Sequence, residues 1–90
     1  VVVNLYPFEK VINNQNSGRQ KCIENIDIGG PTLIRGAAKN HDNITVLTHP
    51  NQYNSFLEIV EKNQNQIPKS LREYCAILAF EHKSYYDGVI

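Results

Sequence analysis

Apolar residues in this chain form two short runs and three stripes with helical spacing. The runs, residues 1–5 and 44–47, are mostly β-branched and lack the alternation of a half-exposed strand. Such runs are typical of strands that are buried on both faces of a parallel sheet. We therefore predict two buried strands, paired in parallel with each other or with strands outside the chain.

The stripes recur at three- and four-residue intervals, the spacing of one helix face. They comprise Leu33, Ile34, Ala37 and Ala38; Tyr53, Phe56, Leu57 and Val60; and Leu71, Tyr74, Cys75 and Leu78. These stripes predict helices from Pro31 to Lys39, over 51–62 and over 71–78. Residues 85–90 either extend the last helix or begin another turn.

Weaker signals mark the shorter elements and one helix start. Pro7 permits a helix start, residues 20–25 favour a short helix, and residues 13–18 favour a loop. Ser70 and Glu73 have the spacing of a capping box. The order of strand, helices, strand, helices predicts a parallel α/β sheet, whose ligand sites lie at the carboxyl ends of its strands.

The segment from Asp27 to His41 has the features of a binding site. Gly29-Gly30-Pro31 opens the predicted helix, Asp27 precedes it, and Lys39-Asn-His closes it. Proline suits a first helical turn, and glycines let backbone approach a ligand closely. The free N–H groups of that turn favour an anion or a polarised carbonyl.

Composition narrows the class of function. The 90 residues suffice for one small domain or a piece of one, and the formal net charge is zero. We expect no nucleic-acid or membrane partner, because the chain has neither an excess of basic residues nor an apolar run of roughly 20 residues.

The start of the chain lacks Met and a signal-like segment, which we interpret as a start within a longer protein. Cys22 and Cys75 are interpreted as reduced thiols of a cytoplasmic protein, and the three histidines lack metal-ligand spacing, so no metal site is predicted.

Three motifs together resemble the inosine monophosphate (IMP) cyclohydrolase domain of bifunctional purine-biosynthesis enzymes that also carry an AICAR formyltransferase. They are VVVNLYPF at 1–8, IDIGGPT at 26–32 and AAKNH at 37–41, and the resemblance continues through AFEHK at 79–83 and Tyr86-Asp87. Motifs in order at family spacing are more specific than any single glycine motif.

The resemblance implies a fold, an activity and partners. The fold is an α/β three-layer sandwich with a parallel sheet, methylglyoxal-synthase-like. Residues 1–90 would be the C-terminal portion of that domain, about its second half, without the Ser- and Lys-bearing phosphate loop. The activity is closure of the purine ring of formyl-AICAR ribonucleotide to IMP, with loss of water and no cofactor. Formyl-tetrahydrofolate would serve only the separate formyltransferase domain, and the parent protein would be a cytoplasmic homodimer.

The resemblance also implies the site. It implies catalytic roles for Lys39, Asp27 and Tyr6. It implies substrate contacts for Val3, Asn4, Asp27, Ile28 and Gly29. A pocket shared by Lys39 and Asp27 requires the intervening helix to be short, because a helix rises about 1.5 Å per residue.

Position alone leaves other roles open. Asp27 before the helix and Lys39 at its end both have the charge that stabilises a helix dipole, and this role requires no part in catalysis. Asn4 and Tyr6 fit a polar turn, and Arg35 faces either solvent or a substrate phosphate. The same fold also serves as a nucleotide-binding regulatory module without catalysis, which need not keep Asp27 and Lys39 together. The third alternative is that the chain is a non-catalytic fragment of a larger polypeptide.

Overall fold

The computed structural model describes all 90 residues, which form a mainly helical arrangement. Five α-helices follow one another, and a 3-10 turn at Pro50–Gln52 precedes the fourth. In chain order they are α1 (Phe8–Ile12), α2 (Arg19–Glu24), α3 (Gly29–Lys39), α4 (Tyr53–Lys62) and α5 (Lys69–Val89). The predicted helices are confirmed, and the residues after 85 extend the last helix.

The core lies where α3 packs against α5, the most extensive contact between two helices of the chain. Four buried alanines form most of it, together with Ile34 and Val46. The alanines are Ala37, Ala38, Ala76 and Ala79. Because small side chains let two helix axes approach closely, this contact fixes α3 relative to α5.

The two apolar runs meet in parallel, as a single bridge between Val2 and Leu47. The Val3 N–H donates to the Leu47 carbonyl at 2.9 Å, and the Leu47 N–H donates to the Val1 carbonyl at 2.9 Å. Residues 45–47 are buried. The predicted parallel contact is confirmed, although neither run forms a regular strand here.

The prediction that residues 1–5 are buried on both faces is wrong for this chain. Val1 and Val2 are 54% and 58% exposed, while Val3 and Leu5 pack against the core. A strand buried on both faces needs covering layers on both, and within the chain only one face of this run is covered. The three-layer sandwich, and the place of residues 1–90 in its C-terminal portion, stay predictions.

Helix α3 begins at Gly29, two residues earlier than the predicted start at Pro31. The Asp27 carboxylate accepts the Gly30 N–H at 2.8 Å. A side-chain acceptor for an otherwise unpaired N–H stabilises a first helical turn. This bond therefore supports the earlier start.

The predicted capping box at Ser70 and Glu73 is wrong, because α5 begins directly after Pro68 without any side-chain cap. A capping box lies instead before the 3-10 turn. There the His49 ring accepts a backbone N–H of the turn, and the Gln52 side chain accepts the His49 N–H at 3.0 Å.

Many large apolar side chains on the helices and the first run lie on the surface. They include Ile28, Leu33, Leu57, Tyr74, Ile77 and Tyr85. Only 13 of the 90 residues are buried, so the core is thin. No helix combines the length and apolar character that crossing a membrane requires.

We expect that the 90 residues expressed alone neither unfold cooperatively nor close a purine ring. So few buried side chains release too little hydrophobic free energy to offset the conformational entropy of ordering the chain. Thermal and denaturant unfolding followed by circular dichroism, with an activity assay beside them, tests this. A sharp two-state transition accompanied by turnover would contradict the expectation.

Candidate functional site

The carboxylate of Asp27 joins the end of the first apolar run to the start of α3. Its Oδ1 accepts the Gly30 N–H at 2.8 Å, and its Oδ2 accepts the Tyr6 N–H at 3.2 Å. Bonds to an ionised carboxylate are stronger than those between neutral groups. Asp27 therefore supports the helix terminus, as its position indicated, and also holds two predicted site segments together.

Gly30 lies against this carboxylate so closely that no side chain fits. A Cβ at position 30 would lie 2.6 Å from Asp27 Oδ2 and 2.8 Å from Leu5 Cδ2. A Cβ on Gly29 or Gly36 would meet no atom within 4 Å. Glycine is required at position 30 by tertiary contact, since no glycine of the chain has a positive φ.

Tyr86 of α5 holds the main chain of Asp27 from the opposite side. The Asp27 N–H donates to the Tyr86 hydroxyl oxygen at 2.9 Å, and the hydroxyl donates to the Asn25 carbonyl at 3.4 Å. The Tyr86 ring is buried and meets Phe8 edge-on, with ring centroids 6.4 Å apart. Helix α5 thus contacts both the loop before α3 and the start of α1.

The two residues after Asp27 present unpaired backbone donors. Ile28 is 74% exposed, and neither the Ile28 N–H nor the Gly29 N–H makes a hydrogen bond within the chain. Unpaired N–H groups at a helix start carry partial positive charge and suit an anionic or carbonyl oxygen. This geometry is compatible with the substrate contacts predicted for both residues.

The predicted site residues in the first run, and Tyr6 just after it, have three different surroundings. Val3 packs against the core, and the Asn4 side-chain amide donates to the Tyr53 hydroxyl at 2.9 Å. Tyr6 is 53% exposed, and its hydroxyl makes no hydrogen bond within the chain. The Tyr6 hydroxyl is therefore available to a ligand, whereas the Asn4 amide is engaged.

Tyr6 lines a groove of about 330 Å³ together with two histidines. Burial lowers the pKa of His82, and the neighbouring His49 lowers it further, so His82 is neutral near pH 7. On the groove wall, the Tyr85 hydroxyl donates to the Glu9 carboxylate at 2.9 Å, and this bond raises the pKa of Tyr85. Asp27 and Lys39 do not line this groove.

Lys39 lies at the opposite end of α3 from Asp27. The helix has 11 residues, so its ends are about 15 Å apart at 1.5 Å per residue. The Lys39 side chain is exposed, makes no ion pair and lines a separate groove with Arg35 and Phe80. Because α3 is not short, Lys39 and Asp27 do not share a pocket within the chain.

The structure brings part of the predicted site together. Asp27, Ile28 and Gly29 lie together at the start of α3. Tyr6 meets them through its main-chain N–H, while its side chain lines the groove described above. The predicted residues that lie elsewhere are Val3, Asn4 and Lys39.

Sequence reasoning missed Gly30 and Tyr86 as supports of Asp27. Gly30 stood in the glycine motif, but the motif does not tell which of its glycines is sterically required. Tyr86 belonged to the last motif of the resemblance, yet its partner lies 59 residues earlier in the chain. Only the packing of α5 beside α3 reveals that contact.

Comparison with known proteins gives matches along the whole chain. A family model described as "AICARFT/IMPCHase bienzyme" matches residues 37–90. Proteins named "Bifunctional purine biosynthesis protein PurH" are similar over all 90 residues, with 47% identity in Synechococcus elongatus, 49% in Prochlorococcus marinus and 46% in Trichodesmium erythraeum. The chain spans 18% of the length of the first of these relatives and 17% of the other two.

Proposed function

The chain belongs to the AICARFT/IMPCHase bienzyme family, and from this membership we propose that it is part of an IMP cyclohydrolase. The proposed reaction closes the purine ring of formyl-AICAR ribonucleotide to give IMP. The relatives' names support a role in purine biosynthesis. The start of α3, where Asp27, Ile28 and Gly29 lie, supports the ring-closing part of that role.

The observation that carries the proposal is the position of Asp27. Its carboxylate is held by two backbone N–H groups, and the next two residues offer N–H groups without partners. Ring closure needs an acceptor beside the attacking carboxamide, and it needs donors that hold the heterocyclic base in place. Acceptor and donors stand side by side at this helix start.

The chemistry needs positioning more than a cofactor. The carboxamide nitrogen attacks the formyl carbon of the same molecule, a C–N bond forms, and the bond from that carbon to the formyl oxygen breaks. The oxygen leaves as water with one proton from the carboxamide nitrogen and one from the formamide nitrogen, which forms the ring C=N bond. Because both groups belong to one substrate, orientation supplies much of the rate. The chain therefore needs to hold the two groups, accept an amide proton and stabilise negative charge on oxygen.

We assign the roles as follows. Asp27 orients the carboxamide and accepts its hydrogen bond, and the Ile28 and Gly29 N–H groups hold the base. The Tyr6 hydroxyl donates to a reacting oxygen. Lys39 donates or accepts a proton, a role that rests on the family resemblance. Within the chain Lys39 lies the length of α3 away from Asp27, so the geometry supports the role of Asp27, and that of Lys39 rests on the resemblance alone.

The proposal extends to the parent protein. It would be a cytoplasmic homodimer that also transfers a formyl group to AICAR in a separate domain. Formyl-tetrahydrofolate would serve that domain alone. By the resemblance, a Ser- and Lys-bearing loop of the parent would hold the substrate phosphate.

Asp27→Asn in the full-length parent tests the proposal. We expect the kcat of ring closure to fall by about 100-fold, because asparagine presents only one acceptor oxygen and places a donor beside the Tyr6 N–H. Ring closure is followed at steady state from formyl-AICAR. The formyltransferase activity of the same preparation, which belongs to another domain, reports that the protein is intact.

Asp42→Asn is the matched control, because Asp42 is exposed and makes no hydrogen bond or ion pair. It is expected to close the ring at the wild-type rate. Equal rates for Asp27→Asn and wild type would refute the role of Asp27. A wild-type parent that binds IMP without closing the ring would identify a regulatory nucleotide module instead.

A further inference from the structure

We infer that Tyr86 is a positioning residue for ring closure, which acts on the substrate through Asp27. This inference rests on the proposed function, because it assigns Tyr86 the task of holding Asp27 in its working orientation. Tyr86 is not expected to touch the substrate. The argument starts from its hydroxyl group, which is placed against the Asp27 main chain.

The hydroxyl of Tyr86 hydrogen-bonds both a backbone N–H and a backbone carbonyl of the loop before α3. It accepts the Asp27 N–H at 2.9 Å and donates to the Asn25 carbonyl at 3.4 Å. The Asp27 N–H is partly buried and has no other acceptor in the chain. A buried N–H without a partner is unfavourable, so loss of the hydroxyl would let this loop turn to find one.

The ring that carries this hydroxyl is itself fixed. Tyr86 is 7% exposed, and Phe8 packs edge-on against it. An ion pair between Lys83 and Asp87 flanks it on α5. A buried aromatic side chain has only two rotatable bonds, so its hydroxyl oxygen is held at a defined point.

The same side chain fixes both walls of the candidate site. Its ring holds Phe8, two residues after Tyr6, and its hydroxyl holds the Asp27 main chain. The Asp27 carboxylate in turn accepts the Tyr6 N–H, so Asp27 and the segment that carries Tyr6 and Phe8 are also bonded to each other directly. Release of the Tyr86 bond would leave the carboxylate attached to Tyr6 and Gly30 but would free the peptide group that sets its direction.

Tyr86→Phe in the full-length parent removes both hydrogen bonds and keeps the ring against Phe8. We expect the kcat of ring closure to fall about tenfold, the effect of about one lost hydrogen bond on the barrier, while KM changes by less than about threefold. Tyr74→Phe is the matched control on the same helix. Tyr74 is exposed and its hydroxyl makes no hydrogen bond within the chain, so the change is expected to leave kcat unchanged.

A double variant separates positioning from simple destabilisation. If Tyr86 acts through Asp27, Asp27→Asn with Tyr86→Phe closes the ring as slowly as Asp27→Asn alone, because the two residues form one unit. Multiplied losses in the double variant would overturn the inference. So would a kcat within about twofold of wild type for a folded Tyr86→Phe protein, since a lost hydrogen bond is expected to cost more.

Amide hydrogen exchange gives a readout that does not depend on activity. The Asp27 amide is expected to exchange about tenfold faster in Tyr86→Phe than in wild type or Tyr74→Phe. If the wild-type parent does not close the ring, the proposed function fails, and exchange alone decides whether Tyr86 holds the loop. Unchanged exchange at Asp27 would overturn the inference about Tyr86, whatever the activity.

Discussion

Replacement of Lys39 by alanine in the full-length parent is expected to abolish the proposed ring closure, while nucleotide binding becomes weaker and stays measurable. The expected loss in kcat is about 1,000-fold, within the range for removal of a general acid or base. Lys39 makes no ion pair and lies in no buried contact, so its loss does not disturb the core. Steady-state ring closure and equilibrium binding of IMP measure the two effects separately.

Two further variants sharpen this result. Lys39→Arg is expected to fail as well, because arginine keeps its proton near neutral pH. Lys62→Ala is the matched control, since Lys62 ends α4 as Lys39 ends α3, and its loss removes only a favourable charge at a helix terminus. Activity restored by Lys39→Arg would reduce Lys39 to an electrostatic role, and a near-normal kcat for Lys39→Ala would refute its assignment.

Gly30→Ala is expected to lower kcat by about 100-fold, because displacement of a positioned group by about 1 Å can have that effect. The added Cβ would lie 2.6 Å from Asp27 Oδ2 and 2.8 Å from Leu5 Cδ2. Because α3 is anchored by its alanine contacts with α5, the carboxylate has to move instead of the helix. The displaced carboxylate would lose its bonds to Gly30 and Tyr6.

Gly36→Ala, in the same helix, is the control for this variant. Its Cβ would meet no atom within 4 Å, so the change is expected to stabilise α3 by about 0.5–1 kcal/mol through helix propensity. Ring-closure rates and melting temperatures of the full-length variants test both expectations. A Gly30→Ala protein that closes the ring at the wild-type rate would show that the close approach at position 30 is dispensable.

Local patterns predicted the helices well and their ends less well. Apolar stripes at helical spacing depend only on side chains three and four residues apart, so they located α3, α4 and α5. Helix α3 starts earlier than predicted because the Asp27 carboxylate, which is not part of the apolar stripe, accepts the Gly30 N–H. The capping box at Ser70 and Glu73 failed because a sequence motif states a possible bond and not a formed one.

For the candidate site, too, the sequence located a local feature but not the distance between two residues. The motif around Asp27 identified a helix start with a carboxylate and glycines, and the structure places Asp27, Ile28 and Gly29 there. The same motif suggested that Lys39 shares this pocket if the helix is short. The rise of an 11-residue helix puts about 15 Å between its ends, so this proximity does not occur within the chain.

By itself, the sequence determined the helical stripes, the two apolar runs and the family to which the chain belongs, because these depend on residue order. Only the tertiary structure decided that Asp27 bonds the Tyr6 N–H, that Gly30 has no room for a side chain, and that Tyr86 holds the Asp27 main chain. The physical reason is that these contacts join residues 21 to 59 positions apart, or depend on one that does. The Tyr86 contact arises from the packing of α5 beside α3, and the other two arise because residues 5 and 6 lie against the start of α3. No local periodicity encodes either arrangement.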